Sequence, residues 1–322
     1  MIGQVRTVLG DIPAPALGRT DYHEHLFQAT PLLPGDDLDD EQCSREEARL
    51  LHEAGIDAIV DATPIGLGRD PAATARISVG VGLAVVLTTG AHRQAHYPLD
   101  HWLRGLGSDR LTDLFVRELV DGVPAVDGPT GSDPALTPDG DQIRAGLLKA
   151  GIDYWSISRF ERGVLEAVSA AHRETGAPVM VHLEHGSAAV DVVTILTAAG
   201  VSADRVVLAH IDRNPDPGLH AELAAAGVYL GYDGMARTRT WPDSVLLDCL
   251  LRVVDLGGAE RILLGGDVAR RGRYVAYGGM PGLAYLPARF LPRLERDGGA
   301  DLIRMVLVDN PARLLTWGGR PV

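Results

Sequence analysis

Lysine is nearly missing from this 322-residue chain. Lys149 is the single lysine among 30 Lys plus Arg residues, so arginine stands wherever a general positive charge is needed. Cysteine is also scarce. Cys43 and Cys249 lie far apart and form no Cys-x-x-Cys pair, which argues against a disulfide framework or a zinc knuckle. We expect both to be free thiols.

Long hydrophobic runs and excess positive charge are absent as well. No apolar run approaches the roughly 18 residues needed to cross a bilayer, and the N-terminus lacks the features of a secretory signal, so we predict a cytoplasmic protein. The formal net charge is -13 and the pI is about 5.2, which argues against nucleic acid or an anionic membrane as a partner. A small molecule is the expected partner.

The length suits one large domain. A (β/α)8 barrel takes about 250 residues plus insertions, so we predict a single domain over 1–322. From residue 56 onward, short β-rich apolar runs alternate with amphipathic stretches, which is the pattern of a parallel sheet with crossover helices. The fold class is therefore predicted to be α/β, a (β/α)8 TIM barrel. Its strands are predicted at 18–25, 56–62, 84–90, 145–151, 178–183, 205–210, 228–233 and 261–267.

Several segments around these strands have recognisable patterns. The first residues, GQVRTVLGDI, predict a short β hairpin, and the Gly- and Arg-rich stretch 268–286 predicts an extended loop over the active face. The stretch 91–141 is predicted to be a surface insertion. Ser158 and Glu161 form a capping-box pattern before a helix that ends at Gly176. Further helices are predicted at 44–54, 110–120, 187–199, 217–226 and 242–256.

Histidines recur where the predicted strands end. His23 and His25 are two residues apart on a strand, so both side chains point to the same side, into the barrel. His182 ends VMVHL and His210 ends VVLAH, and in barrels the catalytic residues gather at the C-terminal ends of strands. Asp267 ends ILLGGD on the predicted eighth strand. Neutral imidazoles and a carboxylate suit zinc and its neighbours, so these residues predict a metal centre.

Lys149 ends the predicted fourth strand, in AGLLK. An ammonium beside divalent cations would be repelled and would lose its proton. A neutral lysine amine can react with carbon dioxide to give a carbamate, an anionic ligand able to bridge two metals. Arginine stays protonated and cannot do this. That chemistry accounts for the one lysine of the chain, and we predict that Lys149 becomes N6-carboxylysine.

The ligand pattern resembles the amidohydrolase superfamily and, more closely, its phosphotriesterase-related family. The resemblance runs over nearly the whole chain, through LGRTDYHEHL, AGLLKAG, ETGAPVMVHLEHG, VVLAHIDRNPD and NPARLL. It implies a binuclear centre and a homodimer. By this resemblance the first metal is bound by His23, His25 and Asp267, and the second by His182 and His210. The modified Lys149 and a hydroxide would bridge the two metals.

This centre implies a hydrolytic mechanism. Two cations would lower the pKa of the water between them enough to supply hydroxide at neutral pH, and one cation would polarise the carbonyl or phosphoryl oxygen of the substrate. The resemblance implies that Asp267 takes the proton from the attacking hydroxide and passes it to the leaving group. We expect two divalent ions, with zinc first and manganese, cobalt or iron also compatible with these ligands.

Arginines follow the last three predicted strands, and loops at this end of a barrel often bind phosphate, which bidentate arginine suits. The leading substrate is therefore a lactone or ester, foremost a phosphorylated sugar lactone. The other interpretation is that the arginines form surface ion pairs. Tyr97 either shapes the leaving-group side of the site or packs in the core. The arginines are Arg213, Arg237, Arg239, Arg270, Arg271 and Arg273, of which Arg213, Arg270 and Arg273 are the predicted substrate contacts.

Two alternatives remain open. A phosphotriesterase (aryldialkylphosphatase) would use the same centre on organophosphate esters, but neutral triesters need an aromatic pocket and the chain has only four Phe and four Trp. A catalytically silent small-molecule binding protein would keep the barrel and the metals, but it would not need Asp267 as a proton acceptor. Hydrolysis assays with lactones and with phosphotriesters separate these possibilities.

Overall fold

The chain begins with an antiparallel hairpin, β1 (Gln4–Thr7) and β2 (Gly10–Pro13), as the sequence predicted. The structure is a computed structural model that describes residues 3–317. The short segment Thr316–Trp317 pairs with β1 and ties the far end of the chain to the hairpin. The predicted single domain, 1–322, also includes residues 1–2 and 318–322, which lie outside the described range.

Eight parallel strands form the barrel, and each pairs with the next strand along the chain. Every residue of the eight is buried, apart from the half-buried Ala84, as expected for a parallel sheet covered on both faces. Asp267 N donates to His23 O over 2.9 Å, which brings the last and first strands together. The predicted (β/α)8 barrel is confirmed. The strands are β3 (Thr20–Glu24), β4 (Ala58–Asp61), β5 (Ala84–Gly90), β6 (Leu147–Ile152), β7 (Val179–Leu183), β8 (Val206–Ala209), β9 (Tyr229–Tyr232) and β10 (Ile262–Leu264).

Helices surround the barrel, and the predicted capping box is present. Ser158 Oγ accepts from Glu161 N, Glu161 Oε2 accepts from Ser158 N, and the helix ends at Gly176 with a φ of 76°. The helix after β4 was not predicted, although Asp70 caps its start and Pro71 begins it. The helices are α1 (Glu41–Glu53), α2 (Pro71–Val81), α3 (Ser108–Val120), α4 (Arg159–Thr175), α5 (Ala189–Ala198), α6 (Pro217–Ala225), α7 (Asp243–Asp255), α8 (Leu291–Gly298), α9 (Ala300–Arg304) and α10 (Asn310–Leu315).

The core has two layers. Inside the barrel, side chains such as Tyr22, Met180 and Tyr229 fill the axis, and the hairpin residue Val5 packs below them. A larger apolar layer lies between the strands and the helices. None of the helices in residues 3–317 is both long and apolar enough to cross a membrane. Cys43 and Cys249 are free, as predicted.

The predicted loop after the eighth strand lies against the carboxyl end of the barrel. Tyr274 OH donates to His25 O. Glu47 of α1 accepts hydrogen bonds from Ala276 N and Leu283 N, each over 2.8 Å. These contacts hold the loop over the end of the barrel where the predicted ligands lie.

Candidate active site

The predicted ligands lie together at the carboxyl end of the barrel. His23, Lys149 and His182 are on strands, whereas His25 and His210 follow a strand end directly. The prediction that Asp267 ends the eighth strand is wrong. That strand stops at Leu264, and Asp267 lies in the following loop with a φ of 42°; His210 has a φ of 66°. Such left-handed backbone costs about 1–3 kcal/mol for a residue other than glycine and is concentrated at functional sites.

The close approach of Lys149 depends on a glycine. A Cβ at Gly90 would lie 2.0 Å from Lys149 O, and Gly90 has a φ of 115°. Only glycine adopts this conformation without strain and leaves this space. β5 can therefore pair with β6 at the level of the lysine.

One ligand group contains His23, His25 and Asp267. Asp267 Oδ1 lies 3.7 Å from His23 Nε2 and 3.5 Å from His25 Nε2. One ligand atom from each residue lies within 4.8 Å of the others, all three residues are buried, and a metal could be held among them. This group matches the predicted first metal site.

Hydrogen bonds orient these two imidazoles. Thr63 Oγ1 donates to Phe27 O, so it accepts from Nδ1 of His25 over 2.7 Å. The Nδ1 of His23 lies 3.1 Å from Oδ2 of Asp233, a carboxylate that only accepts. Both rings therefore carry their hydrogen on Nδ1 and present the lone pair of Nε2 to the site, which is the tautomer that a metal ligand needs.

The second pair is His182 and His210. The Nδ1 of His210 lies 2.6 Å from Oδ1 of Asp233, and Nε2 of His182 lies 2.8 Å from Oε2 of Glu184. These carboxylates hold the ring hydrogens, which leaves Nδ1 of His182 and Nε2 of His210 facing each other over 2.7 Å. Two lone pairs so close repel unless a cation lies beside them. The donor set therefore fits a bound metal.

Burial keeps these ligand histidines uncharged. It lowers the pKa of His23 to about 3, with Lys149 adding to the effect. Burial also lowers the pKa of His182 and of His210. Each imidazole is therefore neutral at pH 7 and has a lone pair for a metal.

Lys149 is fully buried and lacks a carboxylate partner within residues 3–317. Its Nζ lies 3.3 Å from Nε2 of His23 and 3.2 Å from Sδ of Met180. Burial lowers the pKa of this amine to about 8, against the opposing effect of Asp267 and Asp233. A fully buried ammonium without an ion-pair partner is unfavourable, so burial gives this lysine a larger share of neutral amine than an exposed lysine has at the same pH.

The second oxygen of Asp267 is bound by arginines. Oδ2 accepts from Arg213 Nη2 over 2.6 Å and also from Arg237 Nη2. Burial raises the pKa of Asp267, but the charge of Arg237 and contacts with His210 and His23 outweigh it and lower the pKa well below its usual value. Asp267 is therefore ionised, with Oδ1 toward the histidines and Oδ2 toward the arginines.

Of the three arginines that follow β10, only Arg270 lines the cavity in the described chain. Arg270 reaches the rim of the cavity but pairs with Asp36, and Arg271 pairs with Asp39, so both also make surface ion pairs. Arg273 lies 3.4 Å from the carbonyl oxygens of Asp267 and Val268 and does not line the cavity.

Tyr97 is also absent from the cavity wall. Its hydroxyl donates to Ile65 O and accepts from His92 N, so it is occupied by the backbone. This placement favours the packing interpretation of Tyr97 over contact with a substrate.

A cavity of about 130 Å³ opens above the ligands. Its wall includes residues that sequence reasoning left out of the site. His92, Arg93 and His96 come from the loop after β5, and the motif His-x-x-x-His at a strand end was an available signal. Sequence reasoning also missed Asp233, which ends the predicted seventh strand. Asp233 contacts the ligand histidines His23 and His210 but does not line the cavity.

Comparisons with known proteins agree with this site. Residues 3–315 match the model of the phosphotriesterase family. The chain is 32% identical over 327 residues to a phospho-furanose lactonase of Mycoplasmopsis synoviae, covering 97% of this chain and 91% of that protein. It is 31% identical over 338 residues to the phosphotriesterase homology protein of Mycobacterium tuberculosis, covering 98% of each.

Solved structures are similar as well. A lactonase from Listeria monocytogenes superposes with a TM-score of 0.88 at 29% identity, covering 98% of this chain and 100% of that one. A phosphotriesterase-like lactonase mutant from Deinococcus radiodurans has a TM-score of 0.81 at 27% identity, covering 97% and 99%. With its buried histidines and aspartate at the end of the barrel, this chain belongs to the phosphotriesterase family and is a metal-dependent hydrolase.

Proposed function

We propose that the chain is a lactonase with two metal ions, and that its substrate is a phosphorylated sugar lactone. The observation that carries this proposal is the environment of Lys149, a fully buried amine with no anionic partner in the described chain, 3.3 Å from a histidine whose lone pair faces it. Such an amine is suited to becoming an anionic ligand. The presence of phospho-furanose lactonases among the relatives supports the substrate class.

The neutral amine of Lys149 would add to the carbon of carbon dioxide and lose a proton, which gives a carbamate. The four histidine lone pairs and Oδ1 of Asp267 supply the remaining donors. Nitrogen and carboxylate ligands suit zinc, and also manganese, cobalt or iron. The first metal would be held by His23, His25 and Asp267, the second by His182 and His210, and the carboxylated Lys149 would contact both.

The metals would supply hydroxide at neutral pH and positive charge for the carbonyl oxygen. Asp267 is the proposed proton acceptor, because it is ionised and its Oδ1 lies on the side of the ligand histidines. Arg213 and Arg237 hold its other oxygen. An anionic group on the substrate would compete for these two guanidinium groups, and the anion would thereby be recognised beside the reacting bond.

The shape of the cavity supports a small polar substrate. Its volume is about 130 Å³, and no Phe, Tyr or Trp lines its wall within the described residues. A neutral aromatic triester lacks partners in such a wall. The structure gives no specific support to a dedicated phosphotriesterase or to a silent binding protein.

Metal content of the purified wild type and of Lys149→Arg tests the proposal, followed by assays on phosphorylated and plain sugar lactones. We expect about two metals in the wild type, loss of at least one in the variant, and faster turnover of the phosphorylated lactone. A carbamate signal in a ¹³C NMR spectrum after labelling with ¹³C-bicarbonate would be expected for the wild type only. Retention of both metals by Lys149→Arg would contradict the bridging role of the lysine.

The cellular location and the oligomeric state of the protein are also proposed here. We expect a cytoplasmic homodimer built from one domain per chain. Cell fractionation and light scattering after size-exclusion chromatography measure these properties directly, and a monomer in solution would contradict the dimer.

A further inference from the structure

Two histidines in the cavity wall lie outside the proposed ligand set. His92 and His96 follow β5, line the cavity and are 9% and 7% exposed. Their rings lie 3.9 Å apart between centroids, and the ring of His92 lies 4.4 Å from that of His182. Neither belongs to the groups of described residues that could hold a metal. Metal binding therefore does not explain their place in the wall.

The backbone selects one tautomer of His92. Arg93 N donates to Nδ1 of His92 over 2.8 Å, so Nδ1 must carry a lone pair. The ring hydrogen is consequently on Nε2. In the described part of the chain this Nε2 has no hydrogen-bond partner. His92 thus presents a single N–H donor that protein groups do not use.

His96 also leaves its Nε2 unused. Thr30 Oγ1 accepts from Leu32 N over 3.3 Å and lies 3.1 Å from Nδ1 of His96, a contact that fits either tautomer because a hydroxyl oxygen has two lone pairs as well as a hydrogen. Nε2 of His96 has no hydrogen-bond partner among residues 3–317, and in either tautomer it can bind a hydroxyl group, which both donates and accepts. Two neighbouring imidazoles therefore each keep an unused Nε2 at the cavity wall.

The loop that carries both histidines is held by hydrogen bonds and by close packing on β6. Tyr97 OH accepts from His92 N, and Glu161 Oε1 accepts from Gln94 N over 2.9 Å. A Cβ at Gly151 on β6 would lie 2.7 Å from Arg93 N and 3.3 Å from Nδ1 of His92, so glycine is needed for the loop to lie this close. The Nε2 donor of His92 is therefore held in place before a substrate binds.

The loop with the two histidines lies across the barrel from the loop with Arg237. His92 follows the third of the eight barrel strands, and Arg237 follows the seventh, which places the two loops on opposite sides of a closed barrel of this order. A substrate whose anionic group is bound by Arg237 extends over the metal ligands toward His92. Its far side would then meet the Nε2 atoms of His92 and His96, beside the guanidinium of Arg93.

We infer that His92 and His96 bind the ring hydroxyl oxygens of a sugar lactone and so select hydroxylated lactones over deoxygenated ones. The inference rests on the proposed function, since it names the part of the lactone that this wall would recognise. One hydroxyl oxygen accepts from Nε2 of His92, and a second hydroxyl group forms a hydrogen bond with Nε2 of His96. A lactone without hydroxyl groups would leave both Nε2 atoms unpaired and bind less well.

The test compares a pentono-1,4-lactone 5-phosphate with its 2,3-dideoxy analogue. For His92→Phe and for His96→Phe, which keep a planar ring but lose Nε2, we expect kcat/KM for the hydroxylated lactone to fall about tenfold, as expected for one lost hydrogen bond. The value for the dideoxy lactone should stay within about twofold of wild type. His92→Gln restores an N–H at a similar reach and should recover much of the selectivity.

His52→Phe is the matched control, because His52 lies on α1 outside the cavity and bonds Ile56 O. Wild type that hydrolyses neither lactone would overturn the proposed function itself. If the wild type is active but the Phe variants lower both rates equally, the hydroxyl-recognition inference is wrong. Loss of bound metal in either variant would also overturn it, because the histidine would then be a ligand.

Discussion

The Nδ1 of His210 lies 2.6 Å from Oδ1 of Asp233 in a fully buried contact at the carboxyl end of the barrel. The other oxygen of Asp233 accepts from Nδ1 of His23 and from Tyr22 OH. One carboxylate therefore orients a proposed ligand of each metal. Burial raises the pKa of Asp233, but His210 and His23 outweigh it and lower the pKa well below its usual value, so the carboxylate is ionised.

Asp233→Asn should weaken metal binding. An amide cannot accept from both imidazoles with both of its polar atoms, so one ring loses the tautomer that a ligand needs. We expect a loss of about 10- to 100-fold in metal affinity, the usual effect of removing such a partner, measured by competition with a chelating dye. Asp255→Asn, at the exposed end of α7, is the control and should bind metal normally. Equal affinity in both variants would mean that Asp233 does not position the ligands.

Arg237→Gln should impair recognition of the substrate's phosphate. Charge-assisted hydrogen bonds contribute about 1.5–3 kcal/mol, so we expect kcat/KM for a phosphorylated lactone to fall about 10- to 100-fold. The plain lactone should lose less. Arg271→Gln is the control, because Arg271 pairs with Asp39 and lies over the ring of Tyr277 away from the cavity. An equal loss for both lactones in Arg237→Gln would indicate that the arginine acts only through Asp267.

His220 should make stability depend on pH. It is fully buried on α6, where Nε2 donates to the carbonyls of Ile211 and Asn214 and Nδ1 accepts from Tyr232 OH. Burial lowers its pKa from 6.5 to about 4. The unfolded chain therefore binds more protons between these values, and the free energy of unfolding falls as pH drops through this window, by about 3 kcal/mol from this group.

Urea unfolding of wild type and His220→Gln at pH 7 and pH 4.5 measures this effect. We expect the wild type to lose more stability than the variant between the two pH values. Stability is fully present above pH 6.5 and is lost as pH falls toward 4, because the folded pKa is the lower one. The same pH dependence in both proteins would show that His220 is not responsible.

Arg69→Leu should destabilise the fold. Arg69 is almost fully buried and binds Glu118 of α3 over 2.7 Å and Asp127 of the following loop over 2.6 Å. Removing the arginine leaves two carboxylates without their partner, and breaking a buried pair in this way costs about 3–5 kcal/mol. Chemical denaturation measures the loss. Arg49→Gln, which breaks only exposed pairs on α1, should change stability by less than about 1 kcal/mol.

Much of the barrel could be predicted because its signals are local. Short apolar runs ending in a histidine or lysine mark the carboxyl ends of strands, and parallel strands bring those ends together. The same rule pointed to His23, His182 and Lys149. It failed for Asp267, which lies three residues beyond β10, because the strand ends at Leu264 and two glycines separate it from the aspartate. Tyr97 was misleading, since its neighbours in sequence line the cavity while its hydroxyl is bound by Ile65 and His92.

The sequence by itself determined the eight-strand pattern, the scarcity of lysine outside position 149 and the residue types gathered at one end of the barrel. These follow from periodicity and from strand direction, which are properties of neighbouring residues. Only the tertiary structure decided that Arg213 and Arg237 reach Asp267 while Arg271 stays at the surface, and that Asp233 sets the ring hydrogens of two histidines. Loop conformations and hydrogen bonds across the barrel join residues more than two hundred positions apart, and no local pattern records them.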